Sequence, residues 1–281
     1  MPAKLLQDSY GKSRVRLIKV ARDTDRHEIQ NLTVDIALEG DFEAIHTVGD
    51  NSLCLPTDTM KNTVYALAGE TREIEPVDSF GRRLAAYFLA HNNQIERVRI
   101  HSAEHGWKRM KVAGEFHDHA FLRGRDEKRI SLVIAGRDGE TVEAGVEDLI
   151  VLKTTRSGFA GFVRDKYTTL PEATDRIFST AIKAIWRYTE PDAATEQVFD
   201  DIRRSILETF ATHDSLSVQH TLYAMGEAVL EQFPQVAEIA FSLPNIHCLP
   251  IDMTKFGQQN ENRIFVPTDE PHGLIEARLA R

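Results

Sequence analysis

The chain has 281 residues, 42% hydrophobic and 27% charged, with a formal net charge of −9. Those values fit a soluble globular chain of one large or two modest domains, and the acidic balance lacks the broad basic field that nucleic-acid binding needs. No apolar run approaches the roughly 18 residues of a membrane helix, and the N-terminal Met1-Pro2-Ala3-Lys4 stretch lacks a signal peptide's apolar core.

Period-two alternation predicts strands over residues 14–20 and 27–38. The stretch Leu55-Pro56-Thr57-Asp58-Thr59-Met60 then reads as a helix start, with Pro56 and the polar groups after it as caps. The helix is expected over 57–68. Met60, Val64 and Leu67 fall on its inner face, and Gly69 is its stop. A second helical pattern follows Pro76, with Phe80, Leu84, Tyr87 and Phe88 in phase. Strands are expected again over 94–101 and 128–134.

The second half repeats that order without repeating its residues. Strands are expected over 149–154 and 181–188, helices over 195–212 and 215–233, and strands over 236–243, 263–266 and 274–279. The pattern predicts an α+β protein of two units, 1–140 and 141–281, each an antiparallel sheet with a helix pair on one face.

Several local patterns carry chemistry on paper. Gly11-Lys12-Ser13 imitates the end of a phosphate-binding loop, but the earlier glycine is replaced by Leu6 and a strand follows. His117-Asp118-His119 could form half a metal site with His101 or His105; a polar loop or an interface is the expected reading. No Gly-x-Ser-x-Gly, His-Glu-x-x-His, Cys-x-x-Cys or Gly-x-Gly-x-x-Gly occurs, which argues against the common hydrolase, metalloprotease, dithiol and dinucleotide classes. The two cysteines, Cys54 and Cys248, exclude a disulfide framework and are expected to be small buried fillers. With Ala280-Arg281 in place of a terminal Ser-Lys-Leu, the expected compartment is a bacterial-type cytoplasm.

A longer pattern is made of ordered blocks. They are Tyr10-Gly11-Lys12, Gly49-Asp50-Asn51, the run Thr57 to Tyr65, His117-Asp118-His119-Ala120-Phe121, and Val151-Leu152-Lys153-Thr154-Thr155. Gly161-Phe162, Arg164-Asp165-Lys166-Tyr167, Asp175-Arg176-Ile177, Ser217-Val218-Gln219, Ser242-Leu243-Pro244-Asn245-Ile246-His247 and Gly273-Leu274-Ile275 follow. Together they resemble the urate oxidase (uricase) family over most of the chain. Pro56 departs from the usual alanine, Ile246 from a common lysine, and the C-terminal extension of many relatives is absent.

The resemblance implies tandem tunnelling-fold units that close a barrel in a homotetramer, with active sites at dimer interfaces. It implies oxidation of urate by O₂ and water to 5-hydroxyisourate and hydrogen peroxide in purine degradation, without metal or organic cofactor. His117 and His119 become structural. Catalysis falls to Lys12, Thr57 and His247, and substrate binding to Thr57, Asp58, Phe159, Arg176, Val218, Gln219 and Asn245. Two other readings stay open at this level: a related enzyme acting on a pterin or GTP through zinc, and an oligomer that binds a purine without catalysis.

Overall fold

In the computed structural model, which describes residues 3–281, β1 (Tyr10–Ala21) and β2 (Glu28–Gly40) pair antiparallel. On β2 the alternate residues Gln30, Leu32, Val34, Ile36 and Leu38 are buried, so one face of this strand builds a core. A short α1 (Glu43–Thr47) follows, which periodicity could not reveal in a single turn. Then come α2 (Thr57–Glu70) and α3 (Val77–His91). Met60, Val64 and Leu67 of α2 and Phe80, Leu84 and Phe88 of α3 bury against the sheet, as their spacing predicts.

The cap and stop expectations for α2 both fail in detail. Pro56 occupies the cap position and offers no side-chain acceptor, and none of the polar groups after it caps the helix. Asp58 instead accepts from Lys61 Nζ at 2.5 Å and Asn62 Nδ2 at 3.0 Å, one turn onward. Gly69 lies inside the helix, which ends at an extended Thr71.

The strands β3 (Ile95–Val112) and β4 (Glu115–Gly136) extend well beyond the alternation that predicts them. Backbone pairing builds their outer hairpin, and one side chain ties it to the start of β2. Arg109 donates to the Asp118 carbonyl at 2.6 Å and to Glu28 Oε1 at 2.5 Å, and His27 N–H donates to the Asp118 carbonyl at 3.1 Å. β5 (Gly139–Lys153) and β6 (Phe178–Tyr188) follow, then α4 (Glu196–Thr212) and α5 (Val218–Gln232). β7 (Val236–Pro244) and β10 (Leu274–Ala280) pair antiparallel. Between them β8 (His247–Pro250) and β9 (Phe265–Thr268) form a separate two-stranded ribbon.

Contacts divide the chain into two compact units, Met1–Gly145 with Arg187–Phe199, and Val146–Trp186 with Asp200–Arg281. The strand order is β1-β2-β3-β4-β5 in the first and β5-β6-β7-β10 in the second. In the first unit, α2 packs on β1, and α3 on β3 and β4. A buried ion pair locks α3 there: Arg129 donates to Asp78 Oδ2 at 2.7 Å and reaches Glu196 at 2.5 Å. Burial opposes the charge on Arg129, but the two carboxylates outweigh it and raise its pKa. In the second unit, α5 packs on β7 and β10 over Leu222, Met225, Val229, Ile239 and Phe241. The class is α+β, an antiparallel sheet backed by helices, as the sequence predicts. Among the described residues no helix is long and apolar enough to cross a membrane.

Candidate functional site

The residues singled out from the sequence fall into two sets, one on each unit. Lys12, Thr57 and Asp58 belong to the first; Phe159, Arg176, Val218, Gln219, Asn245 and His247 belong to the second.

In the first set, Lys12 sits at a β-bulge. Lys12 pairs with Ile36 and Val15 with Val34, so Ser13 and Arg14 together oppose the single Asp35. Regular alternation would put Lys12 and Val15 on opposite faces. The extra residue puts them on the same one, the face on which α2 packs. Gly11 is required by close approach, since a Cβ there would lie 1.8 Å from the Ile36 carbonyl oxygen. Arg14 adopts a left-handed φ of 59°, and its N–H donates to Asp35 Oδ1 at 2.7 Å. Tyr10, two residues before Lys12, ties the strand to the start of α2. Its Oη accepts from Leu55 N–H at 2.8 Å, and its ring meets Phe42 edge-on at 4.8 Å. Burial pushes the Tyr10 pKa up to about 12, against the pull of the Leu55 amide. With Pro56 at the cap position, the first-turn amides of α2 beside Thr57 receive no side-chain acceptor. The Asp58 carboxyl is held below the usual range, first by Lys61 and to a smaller extent by the charge of Lys12.

In the second set, a hydrogen-bonded turn carries the aromatic and the arginine. Phe159 N–H donates to the Ala173 carbonyl at 2.7 Å and Ala173 returns the bond at 3.0 Å, while Arg176 N–H donates to the Ser157 carbonyl at 2.7 Å. Asp175 accepts from Thr155 Oγ1 at 2.7 Å, which together with the Ser157 amide holds its carboxyl below the usual range. The Arg176 Cζ lies 5.4 Å from the centroid of the Phe159 ring. Phe162 stacks on that ring at 4.9 Å and 12°, leaving at most one face for a planar ligand. Among the described residues Arg176 has no carboxylate partner, and burial lowers its pKa.

Ser217 caps α5, accepting from His220 N–H at 3.1 Å. The preceding amides of Val218 and Gln219 occupy positions that helix bonding leaves open. Val218 is buried and Gln219 is exposed. Asn245 is fixed by its backbone: its N–H donates to the Gly273 carbonyl at 2.9 Å, and Ile246 N–H donates to the Ser179 carbonyl at 3.0 Å. The Asn245 Oδ1 is buried and lacks a partner, a cost that a ligand would remove. His247 opens β8 opposite Thr268.

The alternative metal grouping is dispersed. His101 faces Asp35 at 3.5 Å, and His105 Nε2 lies 2.9 Å from Thr33 Oγ1. The rings of His117 and His119 pack on one another at 4.5 Å. Neither cysteine is deeply buried, contrary to expectation; both are partly exposed and unpaired. Three positioning groups escape a reading of the sequence. Asp35 carries no local signal, because its partner lies 21 residues away. Tyr10 and Asp175 do flank site residues in the blocks Tyr10-Gly11-Lys12 and Asp175-Arg176-Ile177, and that adjacency is the signal that could have found them.

Comparison with known proteins bears on the whole chain. The family model described as Uricase matches residues 8–134 and 142–276. A uricase of Arthrobacter globiformis is 44% identical over 275 residues, covering 98% of this chain and 89% of that protein. A uricase of Oryctolagus cuniculus is 37% identical over 285 residues, covering 99% and 95%. A crystal structure of the Arthrobacter globiformis uricase superposes with a TM-score of 0.94 at 43% identity, covering 100% of this chain and 96% of that one.

Proposed function

The chain belongs to the uricase family, and from that membership we propose that it is a urate oxidase: it converts urate, O₂ and water to 5-hydroxyisourate and hydrogen peroxide. The observation that carries the reading is the half-buried Arg176 guanidinium, without a carboxylate partner among the described residues, held 5.4 Å from the Phe159 ring centroid. Urate is a flat purine anion. It needs a stacking surface and a charged donor in its plane, and this pair supplies both.

Arg176 forks onto one edge of the purine and offsets its charge. Gln219, whose amide both donates and accepts, clamps the opposite edge, and the Val218 N–H adds a donor. These groups orient the ring without oxidising it. Reaction with O₂ requires an electron-rich ring, which loss of a second proton provides. Lys12, Thr57 and His247 form the relay that removes and returns that proton, the Thr57 hydroxyl passing it between the two bases. Asn245 Nδ2–H and the Thr57 hydroxyl donate to O₂ above the ring, and the unpartnered Asn245 Oδ1 accepts from the water that follows it. The uncapped first turn of α2, including Asp58, turns its amides and the positive end of its dipole toward the anion.

The site residues lie on two units, and we assign each complete site to two chains: Lys12, Thr57 and Asp58 from one subunit, and the other six from its neighbour. A homotetramer whose sheets pair across chains satisfies this arrangement, with equivalent sites at each two-fold interface. Two unpaired cysteines fit a cytoplasmic setting. The test is a urate assay in a metal-chelated sample. Loss of urate absorbance with stoichiometric peroxide is expected. Activity abolished by chelation and restored by zinc would overturn the reading in favour of a pterin-type enzyme.

A further inference from the structure

On the first unit, the sheet face opposite α2 and α3 holds a cavity of about 320 Å³ lined by Arg16, Asn31, Thr33, His105 and Arg123 beside an aliphatic stretch of β1. Its position follows from register. Val15, Leu32 and Val34 point to the helices and are buried, so Arg16 and its register partner Thr33 point the other way. Thr33 pairs with Ala103, and His105, two residues further along β3, shares that face.

We propose that this cavity is a binding site for a tetrahedral oxyanion, a phosphate or phosphomonoester group, separate from the urate site. The lining contains two arginines and no carboxylate. Neither arginine forms an ion pair with a described residue, although the chain is acidic overall. The Thr33 hydroxyl and His105 Nε2 are 2.9 Å apart at the floor, and Arg123 Nη2 lies 3.5 Å from His105 Nδ1. The lining therefore presents two guanidinium groups and the Asn31 amide as donors, with the Thr33–His105 pair between them. Burial lowers the His105 pKa, and Arg123, Lys128 and Arg16 lower it further, in that order. An oxyanion beside the arginines would accept from both guanidinium groups and, by drawing Arg123 away from His105 Nδ1, free that nitrogen to take up a proton.

The site is tested by calorimetric titration of the assembled full-length protein with inorganic phosphate, at an ionic strength held constant with chloride. Saturable binding at one site per chain is expected. It should persist in Arg176→Ala, which removes the anion-binding arginine of the urate site, and weaken about tenfold or more in Arg16→Gln/Arg123→Gln. Both arginines are exposed, so the double variant should melt like wild type in chloride; if it does not, His105→Gln is read in its place. Adenosine monophosphate as a second titrant separates the two sources of the group. Tighter binding than inorganic phosphate marks a phosphomonoester, and equal or weaker binding the free ion. Absence of saturable heat would overturn the proposal. So would loss of binding in Arg176→Ala with the double variant unchanged, which would assign the heat to the urate site.

Discussion

Asp35 Oδ1 accepts the backbone N–H of Arg14 at 2.7 Å, and the other carboxylate oxygen lies 3.5 Å from His101 Nδ1. The bond closes the bulge that sets the direction of Lys12 and satisfies an amide on a residue in left-handed backbone. Asp35→Ala should therefore reduce kcat by roughly 10- to 100-fold while leaving KM and the affinity for a competitive purine inhibitor near wild type. Asp35→Asn keeps an oxygen acceptor and should retain most activity. An Asn variant as impaired as the Ala variant would show that the charge, rather than the bond, matters.

Lys12→Met should impair chemistry far more than binding. The relay loses its proton acceptor while Arg176 and Gln219 remain, so turnover is expected to fall by roughly 10² or more. Steady-state kinetics beside inhibitor titration separate the two effects. A parallel fall in inhibitor affinity would make Lys12 a binding residue.

Arg176→Ala should act on capture of the anion. Loss of a forked, charged bond typically costs about 2–5 kcal/mol when its partner stays buried. An inhibitor dissociation constant unchanged from wild type would place the guanidinium outside the site.

The assignment of each site to two chains is checked by complementation. Thr57→Ala and Arg176→Ala, each nearly inactive alone, are refolded together. A mixed pair has one site with both lesions and one with neither, and random pairing makes half the pairs mixed, so about a quarter of all sites should be intact. Mixed oligomers seen by mass spectrometry without recovered activity would refute the shared site and leave the urate reading standing.

Tyr10 gives a pH dependence whose sign is fixed. Its pKa rises from 10.0 to about 12 on folding, so the folded chain favours the neutral phenol. That contribution is fully present below about pH 10 and is lost as pH rises toward 12. Thermal midpoints followed over this window should fall more steeply in wild type than in Tyr10→Phe. Parallel curves for the two proteins would show that Tyr10 titrates as it does in the unfolded chain.

The amphipathic elements are legible in the sequence because their information is local. The period of Met60, Val64 and Leu67, and the alternation of Leu32, Val34 and Ile36, state which face is buried before any partner is known. The class and the repeated strand–helix order follow from those periods. The proposed site is drawn differently: Lys12, Phe159, Arg176, Gln219 and Asn245 are singled out only by ordered blocks that resemble a family, since each alone reads as an ordinary strand end or loop. Tertiary structure decides whatever depends on a distant partner. The outer hairpin of β3 and β4 has little apolar alternation; it forms by backbone pairing, and Arg109 ties it to carbonyls and a carboxylate brought to it by folding. Gly69 does not end α2: the helix continues to Glu70 and ends at an extended Thr71. The bulge at Lys12 exists because Asp35, 21 residues away, accepts an amide that no local pattern marks as open. Periodicity records which face a segment buries, whereas register, bulges and the pairing of Arg176 with Phe159 are settled only when remote segments meet.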